Sequence, residues 1–267
     1  MTFVNFKKGY VMLNTKKETL ERVDTCTTHG EYISKKYWFI ENFTKCSKCV
    51  DEQIELADKQ KIQLEEANKK SQWENRLGVA ALPIRFLDKS FDNYFCNDVD
   101  SSDYQKKALK ASVKYANEFY KNKGQCLIMC GGVGTGKTHL AVSIALFLME
   151  NNHDFRVIFT TVQRFMRAVK DTWAKKNSRS ETEVINDYAA ADLLILDEVG
   201  VQFGSETEKQ ILFDLLNERY ELRKKTIFIS NFDADGVRSF LGDRVADRLK
   251  EDNATLIPFD FKSYRSN

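Results

Sequence analysis

The chain of 267 residues carries 41 Lys and Arg against 39 Asp and Glu, a formal charge of +2, and 42% of it is hydrophobic. That balance excludes wholesale disorder and a strongly basic nucleic-acid binder, so any polyanion contact has to come from a local patch. The longest apolar run, Leu140 to Met149, falls far short of the roughly 18–20 residues that span a bilayer. The first residues lack the apolar stretch of a secretory signal, so a cytoplasmic protein without membrane contact is expected.

Residues 1–50 hold three of the six cysteines and one histidine among aromatic and β-branched residues, which reads as short strands and turns. Cys26-Thr-Thr-His29 and Cys46-Ser-Lys-Cys49 form two knuckles whose four ligands suit one tetrahedral zinc. Four protein ligands leave no open position, so the ion would be structural. A segment this small lacks the core to fold alone, which gives a metal staple a thermodynamic role. The competing reading is free thiols beside a surface histidine. Cys126 and Cys130 sit in an apolar run and read as small core residues, and Cys96 stands alone.

Residues 51–77 contain no Gly or Pro, are dense in helix formers, and carry only a thin apolar stripe of Ile54, Ala57, Leu64 and Ala67. A charged, mostly solvated helical arm is expected, stopped by Gly78 and kept from resuming by Pro83. Residues 78–102 read as a linker. From 103 to 267 the pattern alternates α and β. A helix presents Leu109, Val113, Ala116 and Tyr120, and strands are expected at 126–130, 155–161, 193–197, 226–230 and 255–259. Apolar strands separated by helices mean an α/β fold with a parallel sheet covered on both faces.

Gly131-Gly132-Val133-Gly134-Thr135-Gly136-Lys137-Thr138 follows the first of these strands and opens a helix, the context that marks a P-loop. The glycines let backbone N–H groups turn inward around a phosphate, and the helix N-terminus adds partial positive charge. Lys137 would bridge the β- and γ-oxygens of ATP, and Thr138 would ligate Mg²⁺. Leu193-Leu-Ile-Leu-Asp197-Glu198 supplies the partner carboxylates at the end of what is expected to be an adjacent strand. Asp197 would hold Mg²⁺ through water, and Glu198 would polarise the attacking water, which points to ATP hydrolysis. Asn231 ends the next strand, where it either orients that water or caps the strand.

The order of P-loop, Asp-Glu strand and Asn-ended strand resembles an AAA+ ATPase. The stretches Lys89-Ser-Phe-Asp-Asn-Tyr94, Asp197-Glu-Val-Gly-Val-Gln202, Leu241-Gly-Asp-Arg244-Val-Ala-Asp-Arg248 and Ser263-Tyr-Arg265-Ser are similar to the DnaC-type replicative helicase loaders over residues 84–267. The N-terminal knuckles resemble phage and prophage forms of that family. The resemblance implies that Asn231 is the sensor-1 residue and Arg265 the sensor-2 residue. It also places Arg248 as the arginine finger acting on a neighbouring subunit, with Arg244 the next candidate. Spacing alone fits Arg244 and Arg248 equally as a surface pair bridged to Asp243 and Asp247.

The helix after the second strand interleaves basic residues with an aromatic: Arg164, Arg167, Lys170, Trp173, Lys175, Lys176 and Arg179. Cations that hold phosphates and a ring that stacks on bases suit single-stranded DNA. The stretch Val169-Lys170-Asp-Thr-Trp173 resembles the loader element that touches the strand, with Lys170 and Trp173 at the contacting positions. An amphipathic helix with solvated lysines and a packed Trp remains the alternative. By resemblance, the partners are a DnaB-type hexameric helicase held by the N-terminal module and arm, single-stranded DNA, and further copies of the chain through the ATPase domain. Two rivals stand: an IstB-type transposition regulator that binds duplex DNA and a transposase, and a non-enzymatic zinc adaptor.

Overall fold

A computed structural model describes residues 19–94, 103–121, 125–173, 179–200 and 205–263. Arg265, Cys96, Gln202, Lys175 and Lys176 lie outside the described residues. The chain divides into two units, Met1–Gln72 and Trp73–Asn267.

In the first unit, strand β1 (Leu20–Cys26) pairs antiparallel with β2 (Gly30–Lys36), with Val23 opposite Ile33 and Cys26 opposite Gly30. Gly30 takes a left-handed φ of 77° to close the turn. Thr44 returns to β2, donating its N–H to Lys35 O at 2.8 Å and accepting from Lys35 N at 2.9 Å. That contact delivers Cys46 to the start of helix α1 (Ser47–Ala80). Among the described residues of this unit only Ser34 and Cys46 are buried, and every side chain from 51 to 72 is exposed. The arm is solvated, as its composition predicts.

The second unit is built on a five-stranded parallel sheet ordered β4-β5-β6-β3-β7. Its strands are β3 (Leu127–Gly131), β4 (Val157–Thr161), β5 (Leu193–Asp197), β6 (Lys225–Ser230) and β7 (Thr255–Phe259). Helices α2 (Asp103–Asn117), α3 (Lys137–Asn151), α4 (Val162–Trp173), α5 (Glu181–Ala189), α6 (Glu206–Glu221), α7 (Ala234–Leu241) and α8 (Asp243–Glu251) complete it. Alternate residues of one strand feed opposite cores: Leu193 and Ile195 pack with α2 and α3 residues, Leu194 and Leu196 with those of α4, α5 and α6. Two covered faces explain why the strands read as unbroken apolar runs. Cys126 and Cys130 are buried in this sheet region, as small core residues should be.

Four expectations need correction. Helix α1 runs through Gly78 to Ala80 and ends at Ala81, whose φ is 52°. Its last turns are held by tertiary packing: Trp73 and Leu77 lie against the core, and Arg76 donates to Met149 O and Asn152 O at 2.7 and 2.8 Å, satisfying the carbonyl end of α3. Residues 78–94 are not a free linker, because Ala80, Leu82 and Tyr94 belong to the core beneath α3. The buried face of α2 is Gln105, Ala108, Ser112, Tyr115 and Ala116, so Leu109 and Val113 are only half-buried and Tyr120 lies exposed beyond the helix end. Finally, β5 is not adjacent to β3. Strand β6, which leads into Asn231, lies between them.

Candidate nucleotide site and metal centre

Strand β3 enters the glycine loop at Gly131, with φ 126°; a Cβ there would stand 2.7 Å from Phe259 O. Gly136, at φ 89°, precedes α3, and a Cβ on it would meet the Tyr94 ring at 2.6 Å. No side chain caps α3, so the N–H groups of its first turn face the loop's concavity, where an anion is stabilised. The Lys137 ammonium is buried over the loop and donates to Gly131 O at 2.8 Å and Gly132 O at 2.5 Å.

The intervening strand does not separate the two halves of the site, because Thr138 at the head of α3 reaches over it. Thr138 Oγ1 donates to Asp197 Oδ2 at 3.2 Å, while Asp197 Oδ1 accepts from the Glu198 N–H at 2.8 Å. Burial raises the Asp197 carboxyl above its ordinary value, and the neighbouring Glu198 charge adds to that. A hydroxyl and a partly desolvated carboxylate in contact form a donor set that suits Mg²⁺. Glu198 adopts a left-handed φ of 59°, a conformation that costs a non-glycine residue free energy and aims its side chain into the cleft. Asn231 follows β6 into the same cleft, and the Gly131 N–H donates to Phe232 O at 2.9 Å, tying the two loops together. The cleft holds about 460 Å³.

Its opposite wall comes from residues given no role in the sequence reading: Arg85, Phe86, Lys89, Asn93 and Tyr94. Tyr94 OH donates to Thr135 O at 3.1 Å, and His139 Nε2 donates to Ser90 O at 2.9 Å, so this segment clamps the glycine loop. The available signal was the loader-like stretch Lys89-Ser-Phe-Asp-Asn-Tyr94, which the sequence reading singled out without giving it a role in the site.

The candidate arginines differ. Arg244 is exposed beside a groove between α6 and α7. Arg248 is half-buried, donates to Asn217 Oδ1, and lies over the rings of Tyr220 and Phe213 at 5.0 and 5.4 Å. Among the described residues Asp243 pairs with Arg238 and Asp247 with Lys250, so Arg248 is not held by the acidic neighbours that spacing suggested. On α4, Lys170 pairs with Glu208 at 2.5 Å and Trp173 Nε1 donates to Glu181 Oε2 at 2.5 Å. Trp173 is half exposed (49%), not packed into the core.

Cys26, His29, Cys46 and Cys49 come together, their ligand atoms all within 4.8 Å of one another. Cys49 Sγ is 3.4 Å from Cys26 Sγ and 3.3 Å from His29 Nδ1; that nitrogen is 3.7 and 3.8 Å from Cys26 and Cys46. Ligand atoms about 2.0–2.3 Å from one zinc stand roughly 3.3–3.8 Å apart in a tetrahedron, so the residues fit the ion. Backbone N–H groups of Thr28 and His29 aim at Cys26 and pull its thiol down to about 6. A hydrogen bond to the Cys26 sulfur, then burial and the charge on that sulfur, push Cys49 up to about 12, and a cation bound between the sulfurs would favour the thiolate instead.

A family model described as "IstB-like ATP binding protein" matches residues 47–266. The chain belongs to the IstB-like ATP-binding family. Among relatives of this IstB-like chain, a protein named replicative helicase loader DnaC from Buchnera aphidicola subsp. Acyrthosiphon pisum is 35% identical over 198 residues, 74% of this chain and 78% of the relative. The protein of the same name from Escherichia coli K12 is 34% identical over 192 residues, covering 72% and 74% of the two chains. A crystal structure of the DnaC helicase loader superposes with a TM-score of 0.57 at 22% identity, covering 66% of this chain and 99% of that one, which shows that the two share a fold. The hairpin with Cys26 and His29 precedes the segment that the IstB-like model matches. Among the described residues no helix is long and apolar enough to cross a membrane.

Proposed function

We propose that this chain is an ATP-dependent loader that binds a DnaB-type replicative helicase and places it on single-stranded DNA when replication starts, in the cytoplasm. The observation that carries the reading is the convergence of Lys137, Thr138, Asp197, Glu198 and Asn231 on one cleft in a relative of proteins named helicase loaders.

In this reading Gly131 to Gly136, including Val133 and Thr135, wrap the triphosphate with their N–H groups, and Lys137 turns from its two carbonyl partners to the β- and γ-oxygens. Thr138 and Asp197 are the residues that would hold Mg²⁺, which supplies charge neutralisation on the phosphates when bound. Glu198 draws the proton from the attacking water, and Asn231 orients that water. Arg248 acts as the finger from a neighbouring copy, with Arg244 as the next candidate and Arg265 as the sensor-2 residue; a guanidinium supplied in trans makes hydrolysis conditional on assembly. Lys170 and Trp173 contact the single strand once their carboxylate partners give way to phosphate. The zinc cluster is structural and holds the module that grips the helicase; Trp38 and Phe39 are solvent-facing, which supports them as contacts.

The family description itself favours one second reading, an IstB-type regulator that acts on duplex DNA with a transposase. Mixing the purified protein with a DnaB-type helicase and with a transposase, then weighing the complexes with ATP present, separates the two. A helicase complex that delivers helicase to single strands supports the loader; filaments on duplex DNA without helicase support the regulator. Absence of ATP turnover under every condition would leave the zinc adaptor.

A further inference from the structure

We infer that Glu52 is the outer partner of the zinc-bound His29, a positioning residue that makes Nδ1 the metal-binding atom and joins the hairpin to helix α1 a second time. This rests on the structural-zinc reading above.

The His29 ring has one nitrogen on each side of the problem. Nδ1 faces the three sulfurs at 3.3, 3.7 and 3.8 Å, and Nε2 lies 2.9 Å from Glu52 Oε1. A carboxylate only accepts, so Nε2 must carry the proton, and the neutral ring then has its lone pair on Nδ1, directed at the metal position. A histidine ligand needs such a partner on its other nitrogen to fix both tautomer and ring orientation. The hydrogen bond also raises the ring's basicity as a ligand, which strengthens the metal bond.

Placement on α1 makes this possible. Cys49 and Glu52 are three residues apart in the helix's opening turns and therefore share a face. One helix face thus presents a metal ligand and the group that holds a ligand from elsewhere. The hairpin supplies Cys26 and His29. Two connections then run between β-hairpin and helix, one through the ion and one through the His29–Glu52 bond. Among the described residues of this unit only Ser34 and Cys46 are buried, and none of them is apolar packing that substitutes for either connection.

The test uses the full chain and zinc alone. Zinc affinity is measured by competition with a chromogenic chelator for wild type, Glu52→Ala and Glu52→Gln, and the His29 ring nitrogens of the zinc-loaded wild type are assigned by long-range ¹⁵N–¹H correlation. Glu52→Ala should weaken zinc binding about 10–100-fold, and Glu52→Gln, which keeps an accepting oxygen at the same place, should recover much of the loss. The wild-type spectrum should show a metal-bound Nδ1 and a protonated Nε2. Zinc held through Nε2, or unchanged affinity in Glu52→Ala, overturns the assignment and leaves the zinc site standing. Elemental analysis that finds no zinc in the native protein removes the site and the assignment together. Should Glu52→Ala prove insoluble, the wild-type nitrogen assignment and the Glu52→Gln affinity decide the matter.

Discussion

The hairpin module and the ATPase body reach order by opposite means. In the body, a five-stranded sheet is covered on both faces, with Leu127, Leu193, Leu194, Ile195 and Leu196 wholly excluded from solvent. In the module, a two-stranded ribbon leaves Val23, Ile33, Trp38 and Phe39 exposed, and among its described residues nothing larger than Ser34 and Cys46 is buried. A two-stranded hairpin is marginal in water by itself, so in the proposed zinc-bound form the four ligands and their ion supply the stability that apolar burial does not. The zinc reading therefore predicts that stability is separable: one part answers to chelators, the other to cavities.

The largest expected effect breaks the two regions apart. Structural zinc contributes roughly 10–16 kcal/mol of apparent binding free energy in small metal-folded modules, so stripping it, or substituting Cys46→Ser, should unfold the hairpin. Amide exchange should lose protection from Val23 to Ser34 while strands β3, β5 and β6 keep theirs. Loss in both regions, or in neither, contradicts the separation. Next in size, Phe165→Ala empties a fully buried position of the body and should cost about 3–5 kcal/mol of its unfolding free energy. Zinc stoichiometry should stay the same. Smaller, and confined to chemistry, Glu198→Gln should slow ATP turnover about 10²–10⁴-fold with nucleotide affinity retained, as single-turnover and binding measurements on one preparation would show. Smallest, Trp173→Ala should weaken single-stranded DNA binding by about 1–3 kcal/mol for each base that stacks on the ring, read by fluorescence anisotropy at fixed salt. Unaltered DNA affinity in Trp173→Ala and Lys170→Ala together would take α4 out of the DNA interface.

Legibility divides along the same line. The strands of the body were readable because burial on both faces leaves an uninterrupted apolar signature, and LLILD matches β5 residue for residue. The P-loop was readable because its backbone demands glycine at positions such as Gly131 and Gly136. Local patterns failed where distant packing decides. Gly78 is a plausible helix stop until Trp73, Leu77 and Ala80 find the core, and the face of α2 is obscured because polar Gln105 and Ser112 point inward. Tyr94 as a clamp on Thr135 depends on a contact between residues 41 positions apart, which no window reports. Helix α5 was missed although Ser180 and Glu183 form a capping box that spelled its start. In the module, ligand spacing was legible, whereas Glu52 is one acid among many on a charged helix and only its distance to His29 singles it out.

The central claim is that ATP held in the glycine cradle is cleaved when a second copy supplies Arg248. The most direct measurement is ATP turnover by Lys137→Ala, by Arg248→Ala, and by their equimolar mixture. Each variant alone should be nearly silent, the first for want of bound nucleotide and the second for want of a finger. The mixture should regain turnover, because the intact cradle of one variant meets the intact arginine of the other. Full activity of Arg248→Ala by itself, or a mixture as silent as its parts, would contradict the claim.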